Sequence, residues 1–379
     1  MTSKHCYNEL AMVKVGINGF GRIGRLAFRV GLLKHANEIE FVALNTSGSM
    51  DTAGWAHLVN YDTTYRKFEK EVKSEELTKP EAVTDENPQI GNLLVGETKI
   101  PVLAQRDPEK LPWAKYAVDV VIESTGKFIT EEDAKKHAKA GAKRVVISAP
   151  PKGGNVSTYV LSVNDYDGKA QVLSNASCTT NCVAPVAAVM HGKFGIEKAA
   201  MTTIHSYTDD QVLQDSSHKD LRRARAAAMN IIPTSTGAAV STTETIPELA
   251  GLFDGRALRV PVITGSITDF AIVTKNKVTV AEVNQAFIDA TTNAIYKGIL
   301  AVSTEPLVSS DIIGRSESAI VDLDLTQVIG GNLVKIFAWY DNEWGYTNRL
   351  VEQVIRVGNS LGKATAPADP LTLTFTKNG

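Results

Sequence analysis

The 379-residue chain holds only three cysteines. So few exclude a disulfide scaffold, and the odd count fits a reducing compartment. An excess of either charge is also missing: 40 Lys and Arg stand against 42 Asp and Glu, a net of −2. That balance argues against a dedicated binder of nucleic acid or of membrane surfaces. No apolar run approaches the ~20 residues of a membrane span. The first twelve residues, with Lys4, His5, Asn8 and Glu9, lack the apolar core of a secretion signal. A soluble, cytoplasmic protein is expected. Repeats and low-complexity tracts are absent too. What the chain has in quantity is apolar residues, 43% of the total with 22% charged, enough to bury a real core. At ~150 residues per domain its length predicts two domains, or three.

The first third alternates β-rich runs with helical patterns. Val13–Ile17 reads as a strand, and Ile23, Leu26, Ala27, Val30 and Leu33 then share one helical face. Phe41–Leu44, Val118–Ile122 and Arg144–Ile147 read as further strands, and Thr130 with Glu131, Glu132 and Asp133 opens a helix. This alternation predicts an α/β fold with a parallel sheet covered on both faces. Lys70–Glu97 breaks the pattern with charge, Pro80 and Pro88, and reads as a surface excursion without a role. From about Gln171 the runs lengthen and favour Thr and Val: 200–204, 258–262, 267–274, 318–323 and 333–340. Helical patterns cover 180–193 and 280–297, and 350–361 reads as a last helix. An α+β second domain with a mixed sheet is expected.

Gly19-Phe20-Gly21-Arg22-Ile23-Gly24 follows the first strand and opens the first helix. Glycines at this spacing allow a tight turn, close approach to a pyrophosphate and close helix–strand packing. The helix start then offers free N–H groups and the positive dipole end. The acid that would hold the ribose hydroxyls after the second strand is lacking: Leu44-Asn45-Thr46-Ser47-Gly48-Ser49 carries none before Asp51. Without it a ribose 2′-phosphate is not repelled, and short hydroxyls offer donors. No Arg or Lys sits in this stretch to attract one. A plain polar turn with relaxed cofactor choice is the alternative.

Ser174-Asn-Ala-Ser-Cys-Thr-Thr-Asn-Cys182 lies between a strand at 171–173 and an apolar helical stretch. Cys178 therefore falls at a helix start, where the dipole favours the thiolate. Cys182, one turn deeper, reads as a small core residue. His205 ends the run Met201–Ile204. If strand, helix and this next strand form one parallel crossover, Cys178 and His205 meet at one sheet edge across 27 residues. Such a pair gives an activated nucleophile and a proton carrier. The alternatives are an inert Cys with a core His, or a zinc site of Cys178, Cys182 and His191 with poor ligand spacing. Anion-binding groups cluster nearby in sequence. Ser177 and Thr179 flank the sulfur, Thr234-Ser-Thr-Gly237 makes a hydroxyl-bearing turn, and Thr208, Lys219, Arg222, Arg223, Arg225 and Arg259 add donors.

These segments, with Glu123-Ser-Thr-Gly-Lys-Phe128, His205-Ser-Tyr-Thr208, His218–Arg225, Thr234–Ala239 and Trp339-Tyr-Asp-Asn-Glu-Trp-Gly-Tyr346, resemble the phosphorylating glyceraldehyde-3-phosphate dehydrogenases from about Val13 to Leu361. The resemblance implies a dinucleotide-binding domain over 12–177, completed by a C-terminal helix at about 343–379, and a catalytic domain over 178–342. It implies reversible oxidation of D-glyceraldehyde 3-phosphate to 1,3-bisphosphoglycerate in glycolysis, gluconeogenesis or Calvin-type metabolism. Cys178 would form the thiohemiacetal and thioester, and His205 would carry the proton. Thr208, Arg222 and Arg259 look like the substrate-phosphate set; Ser177, Thr179, Thr236 and Gly237 look like the set for inorganic phosphate. Cofactor contacts are implied for Gly19, Gly21, Arg22, Ile23, Gly24, Thr46, Arg106, Ser124, Thr125, Gly126, Ser148, Ser217 and Asn342. The family is typically a homotetramer in which a loop, here about 206–233, reaches a neighbour's cofactor.

Two departures stand out. NAD-preferring members usually carry Asp where Thr46 stands and Leu-Pro where Ser216-Ser217 stands; hydroxyl residues at both positions favour NADP or dual use. The Lys70–Glu97 stretch is also longer than the family leads one to expect. Erythrose-4-phosphate dehydrogenase, which shares most of the motifs, is the nearest rival function. A non-catalytic NADP-binding regulator is a further one.

Overall fold

Val120, Val121, Ile122, Val145, Val146 and Ile147 have no exposed surface, as continuous apolar runs demand when both sheet faces are covered. They belong to the first of two sheets in a computed structural model that describes residues 12–362. The chain opens with β1 (Val13–Asn18), α1 (Arg22–Lys34) and β2 (Ile39–Asn45), the expected strand–helix–strand. Next come α2 (Thr52–Asn60), a hairpin of β3 (Tyr61–Asp62) and β4 (Arg66–Lys67), and strands β5 (Val72–Glu76), β6 (Gln89–Val95) and β7 (Thr98–Leu103). Then follow β8 (Val120–Glu123), α3 (Glu131–Lys139), β9 (Arg144–Ile147), β10 (Ser157–Thr158) and β11 (Val172–Ser174). Thr130 caps α3 as its sequence predicts, its hydroxyl accepting from Asp133 N at 3.1 Å. Among the described residues, nine strands pair in the order β10-β11-β9-β8-β1-β2-β7-β6-β5. Neighbours from β10 to β7 run parallel, while β6 and β5 add an antiparallel edge.

That edge corrects one expectation. Lys70–Glu97 holds two strands of the sheet rather than a loop alone, because Val72, Ile90 and Leu93 turn into the core while the charged side chains between them stay outside. Charge on an outermost strand discourages pairing with other chains, and it also hides the apolar period from the sequence. Between the two strands 77–88 is irregular, apart from one 3-10 turn at Pro80–Ala82.

The second sheet begins after α4 (Cys178–Phe194) with β12 (Ile196–Ser206), then β13 (Ile232–Thr234), α5 (Ala238–Thr245), β14 (Phe253–Val260) and β15 (Ser266–Thr274). It continues through α6 (Val280–Thr292), β16 (Leu300–Ser303), β17 (Ala319–Ile329) and β18 (Leu333–Tyr340). The order is β13-β14-β12-β15-β18-β17-β16, parallel only at β12/β14 and β16/β17. α7 (Trp344–Ser360) then returns to the first sheet, burying Leu350, Val351, Val354 and Val357 in that core. It starts six residues before its apolar period shows. Of the closing segment expected at about 343–379, residues 363–379 lie outside the described residues.

The β11–α4–β12 unit is not a crossover within one sheet. β11 belongs to the first sheet and β12 to the second, so α4 bridges them. Val183–Met190 has no exposed residue because the helix is covered on all sides.

Candidate active site

Cys178 is the first residue of α4, and Ser177 is its cap, with Ser177 Oγ accepting from Thr180 N at 3.0 Å. Two residues earlier Ala176 sits at φ +58°, a left-handed conformation costing about 1 kcal/mol or more outside glycine. It is held by its N–H donating to Ser174 Oγ at 2.9 Å and by the Tyr346 hydroxyl donating to its carbonyl at 3.0 Å. Asn181 closes the turn, its amide donating to Asn175 O at 2.8 Å and to Ser177 O at 3.0 Å. Cys178 comes out half-buried, packed against both cores, while Cys182 is fully buried one turn on.

His205, near the end of β12, brings Nε2 to 3.3 Å from Cys178 Sγ. Nδ1 lies 2.7 Å from the Ser206 carbonyl, so Nδ1–H donates there and Nε2 presents its lone pair to the sulfur. The two expected residues therefore meet, although across two sheets and not along one. Burial, then the Arg259 charge, lower His205 to about 3. Burial lifts the Cys178 thiol, against the pull of Arg259 and the N–H groups of the helix start. Desolvation at the sulfur thus works against the helix end and Arg259, and the position of the proton shared between Sγ and Nε2 decides the charge of the pair. Proton transfer from Sγ to Nε2 generates the nucleophile. Cys178, Cys182 and His191 make no zinc site: His191 sits near the far end of α4, and its Nδ1 accepts from Ile196 N.

Arg259, on β14, reaches the same place. Its Nη1 donates to Thr208 Oγ1 and, at 3.4 Å, to Ser206 O and Gln211 Oε1. Its Nε is buried without a partner, and so is Gln211 Nε2. Two orphaned donors beside a nucleophile call for an acceptor. Arg222 is not drawn in; it is exposed. Of the three clustered arginines, Arg223 joins Thr208 and Arg259 through Asp210, also donating from Nε to Thr234 Oγ1 at 3.0 Å. Arg225 pairs with Asp215 at 2.7 Å. Thr236 and Gly237 stand at the start of α5, where Gly237 faces open space. The Thr179 hydroxyl lies 3.0 Å from Tyr340 Oη, and both its side chain and its backbone N–H stand beside the Cys178 sulfur.

The glycine loop meets the steric demands of a dinucleotide. Gly19 has φ +95°, and a Cβ there would lie 2.7 Å from Thr125 N. A Cβ at Gly24 would fall 2.1 Å from Gly19 O, whereas Gly21 opens onto free space. These are the turn, packing and approach roles in order. Arg22 and Ile23 open α1, so their N–H groups lack intrahelical acceptors. The Arg22 side chain is not available for phosphate, since Asp62 at 3.0 Å and Glu343 at 2.5 Å engage it. Ser124 Oγ donates to Gly19 O at 2.7 Å, Gly126 takes φ +69°, and Ser148 N donates to Glu123 O at 2.9 Å on the next strand end.

A 410 Å³ cavity above this loop is also lined by Thr46, Ser47, Arg106 and Thr125. Thr46 is buried and donates its hydroxyl proton to Leu103 O at 3.0 Å, so it offers no donor to a ribose or phosphate. Arg106, 60 residues on, brings to the cavity the positive charge absent from that stretch. Ser217 is exposed on the irregular segment before β13. Asn342 follows β18. Its Oδ1 accepts from Ser266 Oγ at 2.9 Å and from Thr264 Oγ1 and Gly265 N at 3.2 Å, leaving Nδ2 as a free donor among the described residues.

Two family models match this chain. The glyceraldehyde 3-phosphate dehydrogenase NAD binding domain covers residues 13–131, and the C-terminal domain of the same enzyme covers 177–342. The chain belongs to the glyceraldehyde-3-phosphate dehydrogenase family. It is 50% identical to the glyceraldehyde-3-phosphate dehydrogenase of Streptomyces coelicolor over 352 residues, which is 92% of this chain and 99% of that one. It is 47% identical to the enzyme of Mycobacterium leprae over 92% of this chain and 99% of that one. With the chloroplastic glyceraldehyde-3-phosphate dehydrogenase GAPB of Arabidopsis thaliana it shares 46% identity over 96% of this chain and 79% of the relative. As a glyceraldehyde-3-phosphate dehydrogenase family member, the chain is an oxidoreductase built on a nucleotide-binding and a C-terminal domain. No described helix is long and apolar enough to cross a membrane.

Several residues of this family member's site carry no sequence signal of their own. Asp341 accepts from Tyr65 Oη at 2.7 Å, Gly314 N at 2.8 Å and Trp344 N at 2.8 Å, and so fixes the turn that carries Asn342. Asp210 and Gln211 complete the surroundings of Arg259. Their neighbour Thr208 within the recognised motif is the one signal that could have found them.

Proposed function

We propose that this family member catalyses the reversible phosphorylating oxidation of D-glyceraldehyde 3-phosphate, using NADP or both NADP and NAD. The observation that carries this reading is Cys178 Sγ at 3.3 Å from His205 Nε2, beside an Arg259 whose buried Nε has no acceptor. Thr208 and Arg259 are suited to the phosphate of the triose, with Arg223 nearer to them than Arg222. His205 takes the thiol proton, and Cys178 adds to the aldehyde carbon to give a thiohemiacetal. Nε2–H gives its proton to the oxygen as charge develops there, and the freed Nε2 lone pair then accepts the hydroxyl proton as the hydride leaves. A bound oxidised nicotinamide supplies the acceptor for the hydride lost from that carbon, and Asn342 Nδ2 is placed to orient its amide. Cys178 is left as a thioester. Inorganic phosphate, held by Thr236, Gly237 and the N–H groups at the start of α4, attacks the thioester carbonyl and releases the acyl phosphate with the thiolate.

Two features support NADP: no carboxylate stands at Thr46 to repel a 2′-phosphate, and Arg106 borders the same cavity. The test is a titration of NAD against NADP with the triose and saturating phosphate, in parallel with erythrose 4-phosphate and without phosphate. Phosphate-dependent reduction of NADP with the triose is expected. Cys178→Ala should abolish turnover while retaining cofactor binding, and Thr46→Asp should lower the NADP/NAD ratio of kcat/KM. Turnover retained in Cys178→Ala, or faster phosphate-independent oxidation of the tetrose, refutes the reading.

A further inference from the structure

Segment 77–88, between β5 and β6, folds back over the turn that follows β2. Its 3-10 turn packs on Gly48, where an added Cβ would lie 3.9 Å from Pro80 Cβ. Its exit is tied to the end of β7 by Ala104 N donating to Pro88 O at 2.8 Å. The segment thereby encloses a 390 Å³ cavity that shares Ser47, Gln105 and Arg106 with the cavity above the glycine loop. It forms an outer wall where the adenosine ribose of a dinucleotide would end.

One side chain of this wall holds the turn that carries the cationic residue. Asp85 Oδ1 accepts from Gln105 Nε2 at 2.9 Å, and Oδ2 accepts from Lys110 Nζ at 2.5 Å. Gln105 is clamped on its other sides as well. Its Oε1 accepts from Asp107 N at 3.0 Å, and its backbone N–H and carbonyl exchange bonds with the Asn45 amide at 3.0 and 2.8 Å. Arg106 sits in the middle of this clamp, exposed and without a hydrogen-bond partner among the described residues.

We infer that Asp85 is a positioning residue for recognition of the cofactor's 2′-phosphate: by fixing the Gln105–Asp107 turn it presents Arg106 in place before binding. This rests on the NADP reading above. Ordering a long side chain and its backbone at the moment of binding costs affinity, and prior fixation removes part of that cost. Glu81 lines the same cavity with the opposite charge. The wall thus carries an attracting and a repelling group, the balance a dual-use site requires.

The test is equilibrium binding of NADP and NAD, followed by calorimetry, together with the steady-state kinetics of Asp85→Ala, Asp85→Asn, Arg106→Ala and the double variant with each cofactor. Arg106→Ala should raise KM for NADP by about thirtyfold, the loss of a charge-assisted bond. Asp85→Ala should raise it by about fivefold, the size of one side chain's ordering, with the change in KM rather than kcat. Asp85→Asn keeps an acceptor for Gln105 and should recover most of the loss. The double variant should be no worse than Arg106→Ala, because Asp85 acts through Arg106. Glu81→Gln should lower KM for NADP. An unchanged KM in Asp85→Ala, or full additivity in the double variant, overturns the positioning role while leaving NADP use intact. An unchanged NADP/NAD ratio in Arg106→Ala overturns the 2′-phosphate reading and this inference with it.

Discussion

At Cys178 the start of α4 favours negative charge while burial opposes it, and burial prevails for the isolated thiol. His205 changes the outcome, since its imidazole is kept neutral down to about 3 and touches the sulfur. A proton passing from Sγ to Nε2 leaves the proton count of the pair unchanged. Where that transfer supplies the thiolate, reactivity titrates with the pair as a unit and not with the thiol alone. Alkylation of the wild type by iodoacetamide is expected to stay level from about pH 5 to 8. In His205→Asn the thiolate arises only by loss of the proton to water from a raised thiol. Its rate should climb about tenfold per pH unit over that range. A level profile in the variant removes His205 from the pair. Both residues were legible in the sequence because a capping Ser and a strand end are local facts. Side-chain direction was not: Thr46 shows its hydroxyl in the sequence, but pairing with β7 turns that hydroxyl to Leu103, 57 residues away. Arg223 was likewise indistinguishable from Arg222 and Arg225 until Asp210 and Thr234 stood opposite it.

At the scale of elements, the ends of β1, β2 and β8 meet α3 in a buried polar network beneath the glycine loop. The Glu123 carboxyl accepts from Asn18 Nδ2 at 2.5 Å, His137 Nε2 at 2.9 Å, Thr125 N at 2.8 Å and Thr125 Oγ1. Trp113 Nε1–H donates to His137 Nδ1 at 3.0 Å, which leaves the His137 proton on Nε2 and aimed at Glu123. Asn45 Nδ2 donates to Asn18 Oδ1 at 2.7 Å and extends the network to β2. Four donors converge on the Glu123 carboxyl, so Glu123→Gln sets an amide N–H against donors and leaves at least one of them unpaired. It should cost about 2 kcal/mol of stability and raise KM for both cofactors by loosening the loop. A urea midpoint and a KM matching the wild type would show that the network does not support the loop. The strands carrying this network were legible, for β1, β2 and β8 are short runs rich in apolar residues. The partnership was not, since Glu123 and His137 look like an acid and a base in ordinary surface motifs. β5 was missed for the reason that makes it a good edge: one buried Val72 among charges gives no period to detect.

The whole molecule presents an uneven surface. Leu213, Leu221 and Met229 are each more than 80% exposed, and Ile231 and Val240 more than 60%, all on the segment leading to β13 or on α5. Single exposed apolar residues need no explanation, but this many on one stretch of chain mark a surface made to be covered. The same segment supplies Asp210, Arg223 and Ser217, so whatever covers it also braces the anion site. A second copy of the chain is the cover proposed here, in keeping with the tetramer that the family resemblance implies. The two-sheet topology could be read from strand texture, whereas an interface contributed by irregular backbone leaves no periodicity. Each buried Leu or Met side chain is worth about 1.5–3 kcal/mol, so Leu221→Glu should weaken assembly by about tenfold or more. Sedimentation velocity on the full chain should show a species larger than a monomer, with Leu221→Glu and Met229→Glu shifting it to lower mass. KM for the triose phosphate should rise in step, as Arg223 loses its support. A wild type that sediments as a monomer at micromolar concentration, with an intact KM for the triose phosphate, would mean that this apolar surface faces something other than its own kind.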